Sequence, residues 1–139
     1  MKIIAPLVLF LSLGVTALFA DNIKDAKLHC NRGIAKYAFE DFTGALQDFN
    51  NAIKLNPKDV VAYFYRGLVK SKLHNNTEAI QDYNTAIELS PKYADAYYRR
   101  GLAKETLKDY CGALADYTKA WGLGNVEADR AIERIQERP

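Results

Sequence analysis

This sequence has little net charge of either sign, and it contains few histidine and cysteine residues. The 139 residues carry 19 basic and 17 acidic side chains, which gives a formal net charge of +2. Nucleic-acid binding requires a concentrated basic face, so this balance predicts no nucleic-acid partner. Two histidines and two cysteines are present, and His29, His74, Cys30 and Cys111 lack the spacing of metal ligands. We therefore predict no metal site and no cofactor.

Motifs of catalysis are missing as well. The sequence has no glycine-rich phosphate loop, no nucleophile elbow and no paired-carboxylate signature. His29 and Cys30 are neighbours, but adjacent residues of a helix point about 100° apart and would not face each other. We predict that the chain is not an enzyme and has no small-molecule substrate.

The first 20 residues have the layout of a secretory signal peptide. Lys2 supplies a positive charge, an apolar run follows, and Ala17 and Ala20 offer small residues before the polar segment that begins at Asp21. The alternative is an uncleaved membrane anchor, because the apolar stretch of residues 3–20 is close to the shortest membrane span. We expect an exported protein, periplasmic or secreted, that meets a membrane only if this segment is retained.

The rest of the chain contains one sequence written three times. Residues 26–59, 60–93 and 94–127 align without a gap, and a fixed period of this size predicts a stack of repeats. Seven columns are identical in all copies: Arg32, Arg66 and Arg100; Gly33, Gly67 and Gly101; Lys36, Lys70 and Lys104; Ala45, Ala79 and Ala113; Asp48, Asp82 and Asp116; Ala52, Ala86 and Ala120; Leu55, Leu89 and Leu123.

Each copy is predicted to form two antiparallel helices. In the second copy, helical spacing runs from Val60 to Leu73, is interrupted at residues 75–77 and resumes as far as Leu89, where Pro91 follows. The fold class is therefore all-α, a solenoid of three helical hairpins. Residues 125–139 are expected to form a capping helix, of which 128–139 lie beyond the third repeat. Asn125 is its expected N-cap.

Small and large residues alternate in a way that predicts the packing. Gly67 and Ala79 are expected where the two helices of a hairpin touch, because a large side chain would hold them apart. Tyr83 and Ala86 are expected to pack against the first helix of the next repeat. The capping helix should bury one apolar stripe, formed by Val126, Ala131, Ile132 and Ile135.

These features resemble the tetratricopeptide repeat family. The resemblance covers residues 26–127 and rests on glycine, alanine, aromatic and proline columns at the spacing of that family. The matching residues are Gly33, Gly67, Gly101, Ala45, Ala79, Ala113, Phe49, Tyr83, Tyr117, Ala52, Ala86, Ala120, Pro57 and Pro91. Three departures stand out: His29 at an aromatic position, arginine before each glycine, and lysine in the column of Lys70.

The resemblance implies a protein-interaction module with a concave groove lined by the first helix of each repeat. The residues predicted to bind a partner there are Tyr37, Phe64, Tyr65, Leu68, Tyr98, Arg99 and Leu102. We expect a protein or peptide ligand, because tyrosine and arginine are favoured anchors at interfaces. The alternative is a structural protein that self-associates and has no foreign ligand.

One known binding mode of the family does not suit these residues. Members that bind chaperone C-termini clamp a carboxylate with lysine, asparagine and arginine, and the matching columns here hold Cys30, Ile34, Tyr65, Asp95 and Arg99. Only the arginine fits and the aspartate has the wrong sign. The resemblance therefore implies a peptide with apolar side chains, with one acidic group near the arginine.

Two hypotheses concern pairs of residues. The arginine and aspartate columns recur on antiparallel segments, so Arg66 is expected to reach Asp82 across its hairpin, and likewise in the other copies. If both side chains were solvated instead, each pair would contribute roughly 0–1 kcal/mol to the free energy of unfolding. Cys30 and Cys111 lie in the first and third repeats, too far apart for the disulfide limit of about 7 Å between Cα atoms.

Overall fold

A computed structural model describes residues 4–138, with side chains from residue 14 onward, and this part of the chain is helical. Seven helices follow one another in it: α1 Ile4–Ala38, α2 Phe42–Leu55, α3 Val60–Lys72, α4 Asn76–Leu89, α5 Ala94–Thr106, α6 Tyr110–Gly122 and α7 Glu127–Gln136. Consecutive helices pack as the hairpins α1–α2, α3–α4 and α5–α6, and α7 covers α6. The predicted all-α solenoid is confirmed.

Aspartates begin three of these helices. The carboxylates of Asp41, Asp59 and Asp109 accept hydrogen bonds from the backbone N–H of the third residue of α2, α3 and α6, at 2.9, 3.1 and 3.0 Å. Each bond satisfies a donor that the helix itself leaves unpaired. The turn inside each hairpin also repeats, with a left-handed residue at Glu40, His74 and Lys108, where φ is 60°, 64° and 65°.

The glycine column brings the two helices of each hairpin together. A Cβ atom added at Gly67 would lie 2.6 Å from Cε1 of Tyr83, which is too close for any side chain. The predicted close approach of the helices is thus confirmed, but the group that requires glycine is the Tyr83 ring and not Ala79. Tyr83 and Ala86 also share a buried cluster with Ala96 of α5, so their predicted contact with the next repeat is correct.

Ion pairs inside the hairpins follow the arginine and aspartate columns. Arg66 donates from Nε and Nη2 to the carboxylate of Asp82 at 2.9 and 2.6 Å, and Nζ of Lys70 lies 2.9 Å from the same group. Asp82 is only 3% exposed. The same arrangement binds the other two aspartates, Arg100 and Lys104 around Asp116, and Arg32, Lys36 and His29 around Asp48. The predicted arginine–aspartate pairing is confirmed, and the lysine column joins it.

The buried carboxylate of Asp48 is held in its charged form. The hydrogen bond from Arg32 keeps the pKa of Asp48 well below its usual range, and Lys36 and His29 act in the same direction against the effect of burial. Burial of an unpaired carboxylate would be strongly unfavourable, so the cations of the first helix are required wherever the aspartate of the second helix is buried.

The same arginines connect neighbouring repeats. Nη1 of Arg66 donates to Oδ1 of Asn50 in the preceding repeat at 2.8 Å, and Nη1 of Arg100 donates to Asn84 at 2.6 Å. Each guanidinium therefore binds within its own hairpin through two nitrogens and to the previous hairpin through the third. This gives a structural reason for arginine at a position where the family usually has leucine.

The N-terminal segment continues into the first repeat without a break in α1. Residues 1–3 of the predicted signal peptide lie outside the described residues, and side chains are described from residue 14. From there to Asp25 no side chain is buried, and Ala26, 1% exposed, is the first that is. Within the residues that the structure describes, no helix is long and apolar enough to cross a membrane.

The buried ion pairs should be measurable as a coupling energy. In a double-mutant cycle of Arg66→Met and Asp82→Asn, we expect roughly 2 kcal/mol of coupling in the free energy of unfolding, because the bonds are charge-assisted and poorly exposed to water. Urea denaturation of the four proteins gives this number. The matched control is the exposed pair of Asp21 and Lys24, whose charged atoms are 3.9 Å apart. Equal coupling for both pairs would contradict the assignment.

Candidate functional site

The concave face of the stack holds two adjoining open cavities of about 500 and 380 Å³. They share Tyr37 of α1, Leu68 of α3 and Arg99 of α5, and together they form what we call the groove. Every residue predicted to bind a partner lies on it, with Phe64, Tyr65 and Tyr98 in the larger cavity and Leu102 in the smaller one.

Three residues that the resemblance places near the groove are wholly or partly covered, and one of them is the predicted binding residue Phe64. Phe64 is 6% exposed, and its ring is 4.8 Å from that of Tyr93, so it forms part of the core beneath the groove. Cys30 is 4% exposed, and burial raises the pKa of its thiol to about 11. Ile34 packs against the same buried cluster. Helical periodicity placed these residues on the correct helices but could not show how deeply each one is covered.

Three tyrosines, one from each repeat, carry the apolar character of the groove. Tyr37 and Tyr65 meet edge to face with ring centroids 6.0 Å apart, and Tyr98 lies 5.7 Å from the ring of Tyr117. Tyr37, Tyr65 and Tyr98 are all half-buried. Each ring is therefore fixed by the core on one side and open to the groove on the other, an arrangement that gives contact area with little loss of side-chain entropy on binding.

Arg99 is the cation at the centre of the groove. Its Cζ atom lies 5.7 Å from the ring centroid of Tyr98, and the side chain is exposed. Among the described residues it forms no ion pair, whereas Arg100, the next residue, is bound to Asp116. Two adjacent arginines thus have different roles, one inside the hairpin and the other facing the ligand space.

The segment before α7 closes one end of the groove. Val126 is the residue that directly precedes α7, one position after the predicted N-cap Asn125. Asn125 nevertheless accepts a hydrogen bond from the N–H of Ala128 at 3.1 Å, and its side-chain amide donates to Asp95 at 2.7 Å. Val126 was predicted to join the buried stripe of α7, but it is 82% exposed beside the groove. It precedes the first helical residue, so helical periodicity does not apply to it.

A charged cluster that the sequence did not reveal holds α7 in place. Glu105 of α5 accepts hydrogen bonds from the hydroxyl of Tyr117 at 2.7 Å, from Arg134 at 2.7 Å and from Arg138 at 2.9 Å. These contacts, led by Arg134, lower the pKa of Glu105 to about 2. No other repeat has glutamate in this column, so its partners could not be recognised from the periodic pattern.

The described residues offer no arrangement suited to a metal: no group of three or more histidine, cysteine, aspartate or glutamate side chains converges among them. Both cysteines are free, Cys30 in the core and Cys111 on the surface. The groove is lined by aromatic rings, aliphatic side chains and charged groups, among them the exposed guanidinium of Arg99.

Comparison with known proteins agrees with this description. Sequence profiles of the tetratricopeptide repeat match residues 26–59 and 49–81, and a TPR repeat profile matches residues 72–108. The Arabidopsis OM64 TPR domain is 30% identical, with a TM-score of 0.81, over 84% of this chain and 98% of that one. No curated protein sequence gives a significant match.

Two further solved structures are of domains in complex with peptides or chaperones. The TPR2B-domain:pHsp70-complex of yeast Sti1 is 28% identical, with a TM-score of 0.71, over 84% of this chain and 98% of that one. The second TPR domain of human RPAP3, in complex with HSP70 peptide SGPTIEEVD, is 22% identical with a TM-score of 0.77, over 86% and 99%, and shows the fold alone.

The fold and the groove define a helical-repeat protein-interaction module. The chain belongs to the tetratricopeptide repeat family, as the OM64 domain and the three profile matches show.

The cluster around Glu105 predicts a pH dependence of stability. Its pKa falls from 4.5 to about 2 on folding, so its contribution is complete above about pH 4.5 and is lost as the pH falls towards 2. We expect Glu105→Gln to lower the free energy of unfolding at pH 7 by about 1 kcal/mol and to flatten its decline across that window. Glu133→Gln, on the exposed face of α7, is the matched control. Parallel pH profiles for wild type and Glu105→Gln would contradict this assignment.

Proposed function

We propose that the chain binds a peptide segment of a partner protein along the groove. The observation that carries this proposal is the set of three half-buried tyrosines, Tyr37, Tyr65 and Tyr98, each presenting a fixed ring to an open cavity. Exposed apolar surface of this kind is costly to maintain in water, and aromatic anchors of this kind dominate the affinity of protein interfaces.

The peptide we propose differs from those in the related complexes. The yeast Sti1 and human RPAP3 structures contain chaperone-derived ligands. In the present chain, the columns matching the carboxylate clamp offer a buried Cys30, a half-buried Ile34 and an Asp95 already bound to Asn125. These groups cannot donate to a carboxylate, so we propose a ligand held mainly through apolar side chains.

We further propose that the protein acts outside the cytoplasm, after removal of its N-terminal segment. The support is the signal-peptide layout of residues 1–20 together with the exposure of the segment that follows. From residue 14 to residue 25 no side chain is buried, so cleavage within residues 14–20 would leave the buried core untouched.

The alternative is self-association through a retained N-terminal helix. Leu18 and Phe19 are both 64% exposed and Ile23 is 55% exposed, which gives α1 an apolar face that a second copy could cover. Self-association of this kind requires residues 1–20 to stay attached. The two proposals therefore differ in whether the mature protein retains these residues, which can be measured directly.

The groove is tested by photo-crosslinking in the native cell. A photoreactive amino acid at position 65 should trap one discrete partner, whereas the same probe at the exposed position 81 of α4, outside the groove, should not. With that partner's segment as a peptide, we expect Tyr98→Ala to weaken binding roughly tenfold while circular dichroism shows unchanged helicity. The peptide SGPTIEEVD should not bind measurably. Equal trapping from positions 65 and 81 would count against the groove.

The export proposal is tested by the N-terminus of the protein recovered from its own cell. Sequencing of material from the periplasmic or secreted fraction should begin at residue 18 or residue 21, after Ala17 or Ala20. A chain that retains residues 1–20 and grows in mass with concentration would instead support self-association. An intact chain confined to the cytoplasm would refute export.

A further inference from the structure

The groove carries opposite charges at its two ends. We infer that the bound segment has an apolar centre with an acidic residue at one end and a basic residue at the other. This inference rests on the proposed function and specifies the chemistry of the peptide that the groove takes.

The cationic end is the smaller cavity. Its charged lining groups are Lys72, in the last turn of α3, and Arg99, at the centre of the groove where the two cavities meet, with His74 of the following turn as a further polar donor. No carboxylate lines this cavity in the part of the chain that the structure describes. The left-handed conformation of His74 ends α3 here and brings the turn to the cavity wall.

The anionic end is the far side of the larger cavity. Asp95, in the first turn of α5, and Glu127, in the first turn of α7, line it beside Asn125. The amide of Asn125 is neutral, so its hydrogen bond orients the carboxylate of Asp95 without cancelling the charge. Lysine is absent from the lining of this cavity among the described residues, and its one cation is Arg99, on the side shared with the smaller cavity.

These charges are available to a ligand, in contrast to those of the repeat columns. Lys70 is bound to Asp82, and Arg100 to Asp116. Among the described residues, Lys72 and Arg99 have no carboxylate within ion-pair distance. Glu127 likewise has no cation within that distance. The charges at the two ends of the groove are therefore not used in ion pairs within the fold, as far as the described residues show.

The separation of the two ends fits a short peptide. Along α5, the lining runs from Asp95 in the larger cavity to Thr106 in the smaller one, and Thr106 occupies the repeat position that Lys72 has in α3. The 11 residues of helix between them rise about 16 Å. An extended chain advances about 3.3 Å per residue, so about five residues span this distance. Between the ends the lining is apolar, with Tyr37, Leu68 and Leu102, which accounts for the apolar centre.

Selection from a displayed library of random nonapeptides on the full-length protein tests this inference. Peptides retained by the wild type and lost by Tyr65→Ala are those that occupy the groove. We expect them to carry opposite charges about five positions apart, with apolar residues between them.

Charge reversal then shows which end binds which charge. By fluorescence anisotropy, Lys72→Glu should weaken a selected peptide about three- to tenfold, the effect expected for an exposed ion pair that becomes a repulsion. Replacement of the acidic residue of the peptide by lysine should restore the affinity for Lys72→Glu and lower it for the wild type. Lys54→Glu is the matched control, since Lys54 is exposed in the last turn of α2, away from the groove, and its reversal should change nothing.

Three outcomes would overturn the inference, and they separate it from the proposed function. Peptides that need Tyr65 but show no charge order, or that ignore Lys72→Glu, would refute the charge polarity and leave peptide binding intact. No retained peptide, or equal retention by Tyr65→Ala, would remove the peptide-binding function and the inference with it. A concentration-dependent oligomer that Tyr65→Ala dissociates would identify the occupant as a second copy of the chain.

Discussion

The buried carboxylate of each hairpin is the interaction on which the rest of the structure depends. Asp82 lies on α4 with 3% of its surface exposed, and it is tolerated there because Arg66 and Lys70 of α3 reach it. Removal of either cation would leave a buried charge without its full set of partners, so the positions of the two helices are linked by electrostatics as well as by packing. The third guanidinium nitrogen of Arg66 extends the link to Asn50 of the previous repeat.

The aromatic residues of one repeat column support those of the groove. Phe49, Tyr83 and Tyr117 of the second helices are fully buried against the glycine column. Tyr65 and Tyr98 of the first helices are covered on one side only. The buried rings support the half-buried ones, as the 5.7 Å contact of Tyr98 with Tyr117 illustrates. The rings that line the groove are therefore held in place by the buried rings behind them.

The sequence was sufficient to predict the repeated hairpins and the capping helix, but not the contacts of Glu105 or the burial of Phe64. The three hairpins and the pairing of Arg66 with Asp82 followed from columns that recur at a fixed period. Glu105 has no equivalent in the other copies, and its arginine partners lie in α7 and just after it, at separations of 29 and 33 residues, so periodicity could not reveal them. The burial of Phe64 was also missed, because a helical pattern identifies the face of the helix on which a residue lies but not how far neighbouring side chains cover it.

The gap-free repeat has a consequence for engineering. Because Arg66 binds Asn50 and Arg100 binds Asn84 by the same bond, a second copy of residues 60–93 inserted after residue 93 would present the asparagine and the arginine that its new neighbours require. The terminal α7 packs on α6 and is held by Glu105, so it would have to remain behind the original third repeat. The number of repeats therefore sets the length of the binding surface, and each inserted hairpin would extend it by one unit.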